Sequence, residues 1–189
     1  MLLHRYGQPM DGPATIPAAT ALGDRILRVN HAGEQGAICV YRAQWLVAGL
    51  TAPSMREQLA DFLVHEKRHR SIFGAALMQR GLPRARSYVL CSAGGYALGV
   101  VTGLLGRRAI AATTIALELV VVRHLNAQRI ELATIDPAVA ELIASMVEDE
   151  QLHHDRSLDE IDIDRGWLRG LRAMVSEATE AVIWLGMKL

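Results

Sequence analysis

Apolar positions along this chain recur every three to four residues over long stretches, the period of an amphipathic helix, and hardly anywhere alternate as in a half-buried strand. From Asp24 to Leu50, the residues Ile26, Leu27, Val29, Ile38, Val40, Tyr41, Trp45 and Leu46 keep that spacing, which predicts a first helix with Asp24 as its cap. Residues 54–80 predict a second, with Ser54 and Glu57 in a capping-box pattern, an apolar face through Leu59, Phe62, Leu63 and Phe73, and Gly81 as the stop. A third helix is expected over 87–106, a fourth over 108–134, a fifth from Pro137 to about Ile161 and a sixth from Trp167 to the end. The six prolines, at 9, 13, 17, 53, 83 and 137, fall only at the edges of these segments. Residues 1–23 therefore read as an irregular tail and 24–189 as a single all-α domain.

Composition narrows the class. With 51% hydrophobic and 21% charged residues over 189 positions, the chain can bury a core, which excludes disorder. Lys+Arg equals Asp+Glu at 20 each, so a strongly basic nucleic-acid binder is excluded as well. The balance conceals an asymmetry: residues 1–110 carry 13 basic and 6 acidic side chains, residues 111–189 carry 7 and 14. Cys39 and Cys91 lie in apolar surroundings, as buried thiols do, and not in a disulfide or zinc-ribbon pattern. Met1–Thr20 has neither a basic region leading into an apolar core nor an Arg-rich amphipathic pattern, so no export or import signal is expected.

The stretch 87–106 has no charge and is flanked by Arg84 and Arg86 on one side and Arg107 and Arg108 on the other. Its 20 residues are long enough to cross a bilayer, but equal Arg pairs give no orientation and five glycines weaken the helix. The preferred reading is a helix lying on or dipping into a membrane, with the four arginines meeting anionic headgroups. A buried core helix is the alternative. Gly95, Gly99 and Gly103 form a small-xxx-small ladder that permits close helix approach and makes a homo-oligomer a candidate.

The chemistry lies in a repeat. Glu66-Lys-Arg-His69 and Glu150-Gln-Leu-His153 are both ExxH, and residues three apart on a helix share a face and can hold one ion together. Glu34 precedes Glu66 by 32 residues, and Glu118 precedes Glu150 by 32. Every equivalent pair is offset by 84, and the same offset matches Ala32 with Ala116, Ala43 with Ala127, Gln44 with Gln128 and Glu57 with Glu141. This pattern is that of a duplicated helical hairpin. Two such hairpins predict a ferritin-like four-helix bundle with two additional helices, and six inward ligands for two metals: Glu34, Glu66, His69, Glu118, Glu150 and His153. Glu66 and Glu150 are expected to bridge the ions, with Glu34 and Glu118 binding one each. Carboxylate and imidazole donors suit iron. Glu118 is the only charge between Arg108 and Arg123, and a bare carboxylate in so apolar a run must be paired, protonated or metal-bound.

His65-Glu66-Lys67-Arg68-His69 also satisfies HExxH, the zinc-protease helix. A third ligand is lacking: no Asp or Glu occurs from Lys67 to Leu117, and no His between His69 and His124. Position 72 is Ile where the extended pattern needs Gly, and zinc proteolysis leaves the 84-residue repeat unexplained. His31, His65 and His154 fit no repeated position and read as surface or supporting histidines. His124, six residues beyond Glu118, is a candidate to orient a ligand. Tyr41, Trp45 and Phe62 read as ordinary core residues.

The segment Arg28-Val-Asn-His-Ala-Gly-Glu34-Gln-Gly-Ala37, followed by Glu66-Lys-Arg-His69, His124-Leu-Asn-Ala-Gln128 and Glu150-Gln-Leu-His153-His154-Asp155, resembles the 5-demethoxyubiquinone hydroxylase family over nearly the whole chain from Asp24. The resemblance implies the same six ligands and an O2-dependent di-iron monooxygenase that hydroxylates the ring of a polyprenylated methoxy-benzoquinol. It implies a peripheral membrane protein, on the cytoplasmic face of a bacterial inner membrane or, for a processed eukaryotic chain, on the mitochondrial inner membrane. An electron donor is required, NADH being one candidate, and other ubiquinone-biosynthesis proteins are candidate partners. The family's Tyr after the His of the His-x-Asn segment is Leu125 here. A non-catalytic ferritin-like iron-storage protein would share the ligands without needing the apolar helix.

Overall fold

The computed structural model describes residues 18–160 and 166–189, which form six α-helices and, among the described residues, no strand. They are α1 (Ala18–Thr51), α2 (Arg56–Gln79), α3 (Tyr88–Leu104), α4 (Arg107–Leu132), α5 (Pro137–Leu158) and α6 (Gly166–Lys188). The all-α expectation stands. The hairpins α1–α2 and α4–α5 form the four-helix bundle, and one long crossover carrying α3 joins them, the connectivity of ferritin-like bundles.

The duplication is larger than a hairpin. α3 packs against α1 as α6 packs against α4, and an 84-residue shift carries 88–104 onto 172–188, inside α6. Three helices therefore repeat, and α3 and α6 are counterparts.

Several helix ends differ from expectation. Residues 18–23 of the expected tail are already helical, so Asp24 lies inside α1 and not at its cap; 1–17 lie outside the described residues, as does Ile161. Asp24 instead accepts from Arg80 at 2.9 Å, while the same guanidinium binds both oxygens of Asp136 at 2.8 and 2.9 Å, tying α1 and the start of α5 to the end of α2. The Ser54/Glu57 box does not form: Pro53 starts a short 3-10 turn, and α2 begins at Arg56 with no side-chain cap. Gly81 ends α2 as expected. Its φ of 65° permits the paired closing bonds Gly81 N–H to Met78 and Leu82 N–H to Leu77.

α3 has 17 residues, about 25 Å of helix, short of the ~30 Å hydrocarbon thickness that the sequence stretch suggested it could span. The one described helix long and apolar enough to cross a membrane is α4, and 67% of that apolar window is buried inside the protein. Its run Ala109–Glu118 is buried without interruption, because α4 packs against α5 and α6 and touches α1 and α3. The glycine ladder of α3 faces α1: a Cβ at Gly95 or Gly99 would collide with the carbonyl oxygens of Gly36 and Val40, and one at Gly103 would sit 3.0 Å from the Val47 Cβ. Close approach thus occurs within the chain, which removes the ladder as an argument for a homo-oligomer.

Two apolar clusters fill the bundle. One centres on Tyr41, Leu59, Phe62 and Ile110, the other on Ile26, Phe73, Leu132 and Ile143, so a middle layer is left between them. Cys39 and Cys91 are free thiols, half-buried and buried, as read from the sequence.

Candidate metal centre

The middle layer holds the six repeated residues. Glu34 comes from α1, Glu66 and His69 from α2, Glu118 from α4, and Glu150 and His153 from α5. All are buried, none more than 5% exposed. Four-residue sets of potential donor atoms lie within 4.8 Å of one another twice over: Glu34, Glu66, His69 and Glu150, then Glu66, Glu118, Glu150 and His153. Glu66 and Glu150 belong to both. His69 Nδ1 is 2.8 Å from Glu150 and 3.9 Å from Glu34, while His153 Nδ1 is 3.3 Å from Glu66, 3.4 Å from Glu150 and 3.9 Å from Glu118.

Four carboxylates in a buried layer are costly unless a counter-charge is present. Burial and the neighbouring acids push Glu34, Glu66 and Glu118 up, the last two to about 8. Burial opposes the charge on Glu150 too, yet His153 and His69 hold it down at about 2. Burial disfavours the charged imidazoles, but Glu118, Glu150 and Glu66 raise His153 to about 12, and Glu150 raises His69. The donor set also fits cations. His69 Nδ1, His153 Nδ1, Glu66 Oε1 and both Glu150 oxygens are buried without a well-formed hydrogen bond, which leaves five atoms of the layer available to a cation. Two divalent ions would match the four carboxylate charges and displace the shared protons.

The surroundings contain residues that the sequence pattern did not single out. The Tyr41 hydroxyl, kept protonated by burial and by Glu118, donates to the Glu118 carboxylate. His69 Nε2 meets Asp149 at 2.9 Å, and His153 Nε2 meets His65 Nδ1 at 3.0 Å. A signal was present: His65 and Asp149 are themselves 84 apart, each one residue before a shared Glu, but their identities differ. His124, expected to orient a ligand, bonds Glu180 of α6 at 2.8 Å and none of the six. His65 lies outside both clusters, which deprives the HExxH reading of its first ligand. Among the flanking arginines, Arg107 is held by Glu160, Arg84 stacks 4.9 Å over Tyr88, and Arg84, Arg86 and Arg108 are exposed.

An apolar cavity of about 330 Å³ leads to the layer, lined by Glu34, Glu66, Glu118 and Glu150 and otherwise mostly by apolar residues of α1, α3, α4 and α6. Leu125 is among its walls.

A helical bundle with one Glu on each of two helices and an ExxH on each of the others defines a class by its donor set, which could hold a paired metal centre. Within that class, the chain belongs to the family described as Ubiquinone biosynthesis protein COQ7, whose family model matches residues 21–186. It is 33% identical over 180 residues to the NADPH-dependent 3-demethoxyubiquinone 3-hydroxylase, mitochondrial, of Caenorhabditis elegans, covering 94% of this chain and 91% of that one. Identity to the Dictyostelium discoideum protein of the same name is 31% over 171 residues, 88% of this chain and 77% of the relative. Identity to the 3-demethoxyubiquinol 3-hydroxylase of Rhodospirillum rubrum is 33% over 160 residues, 82% of this chain and 74% of the relative.

Proposed function

We propose that this protein is a di-iron monooxygenase that hydroxylates the ring of a demethoxyubiquinol with O2 in ubiquinone biosynthesis. The observation that carries the reading is the pair of Glu/His clusters at the end of an apolar cavity. Glu34 and His69 would hold one iron and Glu118 and His153 the other, with Glu66 and Glu150 available to both positions. Bound between these carboxylates, the iron pair supplies the activation of O2. In the balance, one oxygen atom is inserted into a ring C–H bond to give a hydroxyl and the other leaves as water, with two electrons from a reductant and two protons from solvent. The relatives' names make NADPH the first reductant to test and NADH the second.

The protein's own part is binding and exclusion of water. The cavity walls offer an aromatic ring apolar contact. Its two outer helices, α3 and α6, expose Val89, Val101, Leu104, Met174 and Trp184. These side chains support seating of that face in a membrane, where an isoprenoid tail stays in lipid while the ring enters the cavity. Arg84, Arg86 and Arg108 flank the face for anionic headgroups, whereas Arg107 is engaged by Glu160.

Complementation tests the reading. Expressed in a bacterial strain lacking its demethoxyubiquinol hydroxylase, the chain should restore ubiquinone and clear the demethoxy precursor, and Glu150→Ala should do neither. Precursor persisting alongside well-expressed, iron-loaded protein would refute the hydroxylase and favour iron storage.

A further inference from the structure

The 84-residue repeat makes the two halves of the centre comparable position by position, and the residues behind the ligands break the symmetry in one direction. Behind His69 stands the Asp149 carboxylate, 2.9 Å from Nε2 and itself bound by Arg68. Behind His153, at the equivalent place, stands the His65 imidazole, its Nδ1 3.0 Å from Nε2 and its ring stacked at 5.2 Å with 13° between planes. In both halves Nδ1 faces the carboxylates and is the nitrogen that would bind metal, which would leave the proton on the outer nitrogen toward Asp149 or His65. The partners differ in strength. A carboxylate behind a ligating imidazole raises its basicity, and a neutral imidazole acceptor does so far less.

A second pair points the same way. Tyr41 donates its hydroxyl to Glu118, drawing electron density away from that carboxylate's bond to a metal. Its counterpart 84 residues on is Leu125, which has no donor to offer Glu34. Both differences weaken the Glu118/His153 side.

We propose that the two metal positions are unequal by construction: the Glu34/His69 position is tight and fills first, the Glu118/His153 position is weak and exchangeable, and His65, Asp149 and Tyr41 are the positioning residues that set the difference. The inference rests on the two-metal reading above and deepens it. It assigns functions to three side chains that touch ligands and not metal.

The test is titration of the full-length, chelator-stripped chain in detergent with Co(II), followed by visible ligand-field absorption, which reports the donor set of each ion and not overall stability. Wild type should take up two ions in two steps, with dissociation constants at least about tenfold apart, the lower bound typical of partners behind ligands. Asp149→Asn should weaken the Glu34/His69 position by about 10- to 100-fold and leave the other unchanged, so that the gap between the steps closes or inverts. His65→Asp, which copies the other half, should tighten the second step and spare the first. His65→Gln, which keeps an uncharged acceptor, should leave the two steps apart as in wild type, and Tyr41→Phe should narrow the gap. Two ions bound with equal affinity, or His65→Asp acting on the first step, would overturn the inference alone. Fewer than two ions bound by wild type would overturn the two-metal reading and this inference with it.

Discussion

Replacing Gly99 by Ala sets two effects of known sign against each other. Inside a helix, Ala is favoured over Gly by about 0.8–1 kcal/mol. At Gly99, however, the new Cβ would overlap the Val40 carbonyl oxygen and sit 2.8 Å from the Ala43 Cβ, so α3 must move away from α1 as a body. Overpacking of that kind costs about 1–3 kcal/mol, which cancels or outweighs the propensity gain. Gly94, five residues earlier on α3, has nothing within 4 Å of its ideal Cβ and isolates the propensity term. The difference between Gly94→Ala and Gly99→Ala is then the packing penalty, about 1–3 kcal/mol. At 2–4 °C per kcal/mol for a chain of this size, the two melting temperatures should differ by about 2–12 °C. The assay is thermal unfolding by circular dichroism at 222 nm in one detergent, with Gly94→Ala expected above wild type. A Gly99→Ala variant as stable as Gly94→Ala would refute the packing of α3 on α1, and with it the position of one cavity wall.

Single removals of Glu34 or Glu118 to Ala should cut metal content from two ions per chain toward one, while Glu150→Ala should lose both; metal analysis by mass spectrometry after gel filtration distinguishes these from a uniform loss. The metal-free chain should lose stability as pH rises from about 4.5 to about 8. Glu66 and Glu118 are raised from 4.5 to about 8, so the folded state holds their protons where the unfolded state has released them, and above 6.5 the raised His153 adds the same sign. Each group contributes about 1.4 kcal/mol per pH unit within its window, and urea midpoints that climb over that range would contradict the sign. Arg80→Ala should cost about 2 kcal/mol, less than the ~3–5 of a fully buried pair because the guanidinium side chain is 26% exposed, and a urea midpoint unchanged from wild type would remove the α1–α2–α5 tie.

The six clustered residues were legible because side chains that meet in one layer of a helical bundle recur at fixed spacing, and the duplication wrote that spacing twice. Identity was the signal used, and it reaches only residues that both halves retain. His65 and Asp149 occupy one register position with different side chains, and each acts on a histidine of the opposite hairpin, a relation that no spacing along one helix contains. Tyr41 behaved as the core residue its periodicity suggested, fully buried, but its hydroxyl found the one acid that the fold brings over from α4. His124 failed as a ligand partner because α6 supplied Glu180, and no sequence pattern says what the sixth helix places beside the fourth. The α3–α6 correspondence was equally invisible, since the ladder Gly95, Gly99, Gly103 is replaced by Thr179, Ile183 and Met187 at the same offset. At α2 the capping pattern was present but Pro53 claimed the turn.

The central claim is tested most directly by supplying the purified, two-iron chain with a short-tailed demethoxyubiquinol, NADPH and 18O2, and weighing the product by mass spectrometry. The account predicts one 18O in a new ring hydroxyl, formed by wild type and absent with Glu150→Ala. A product whose added oxygen comes from water, or iron-replete protein that leaves the quinol unchanged, would contradict it.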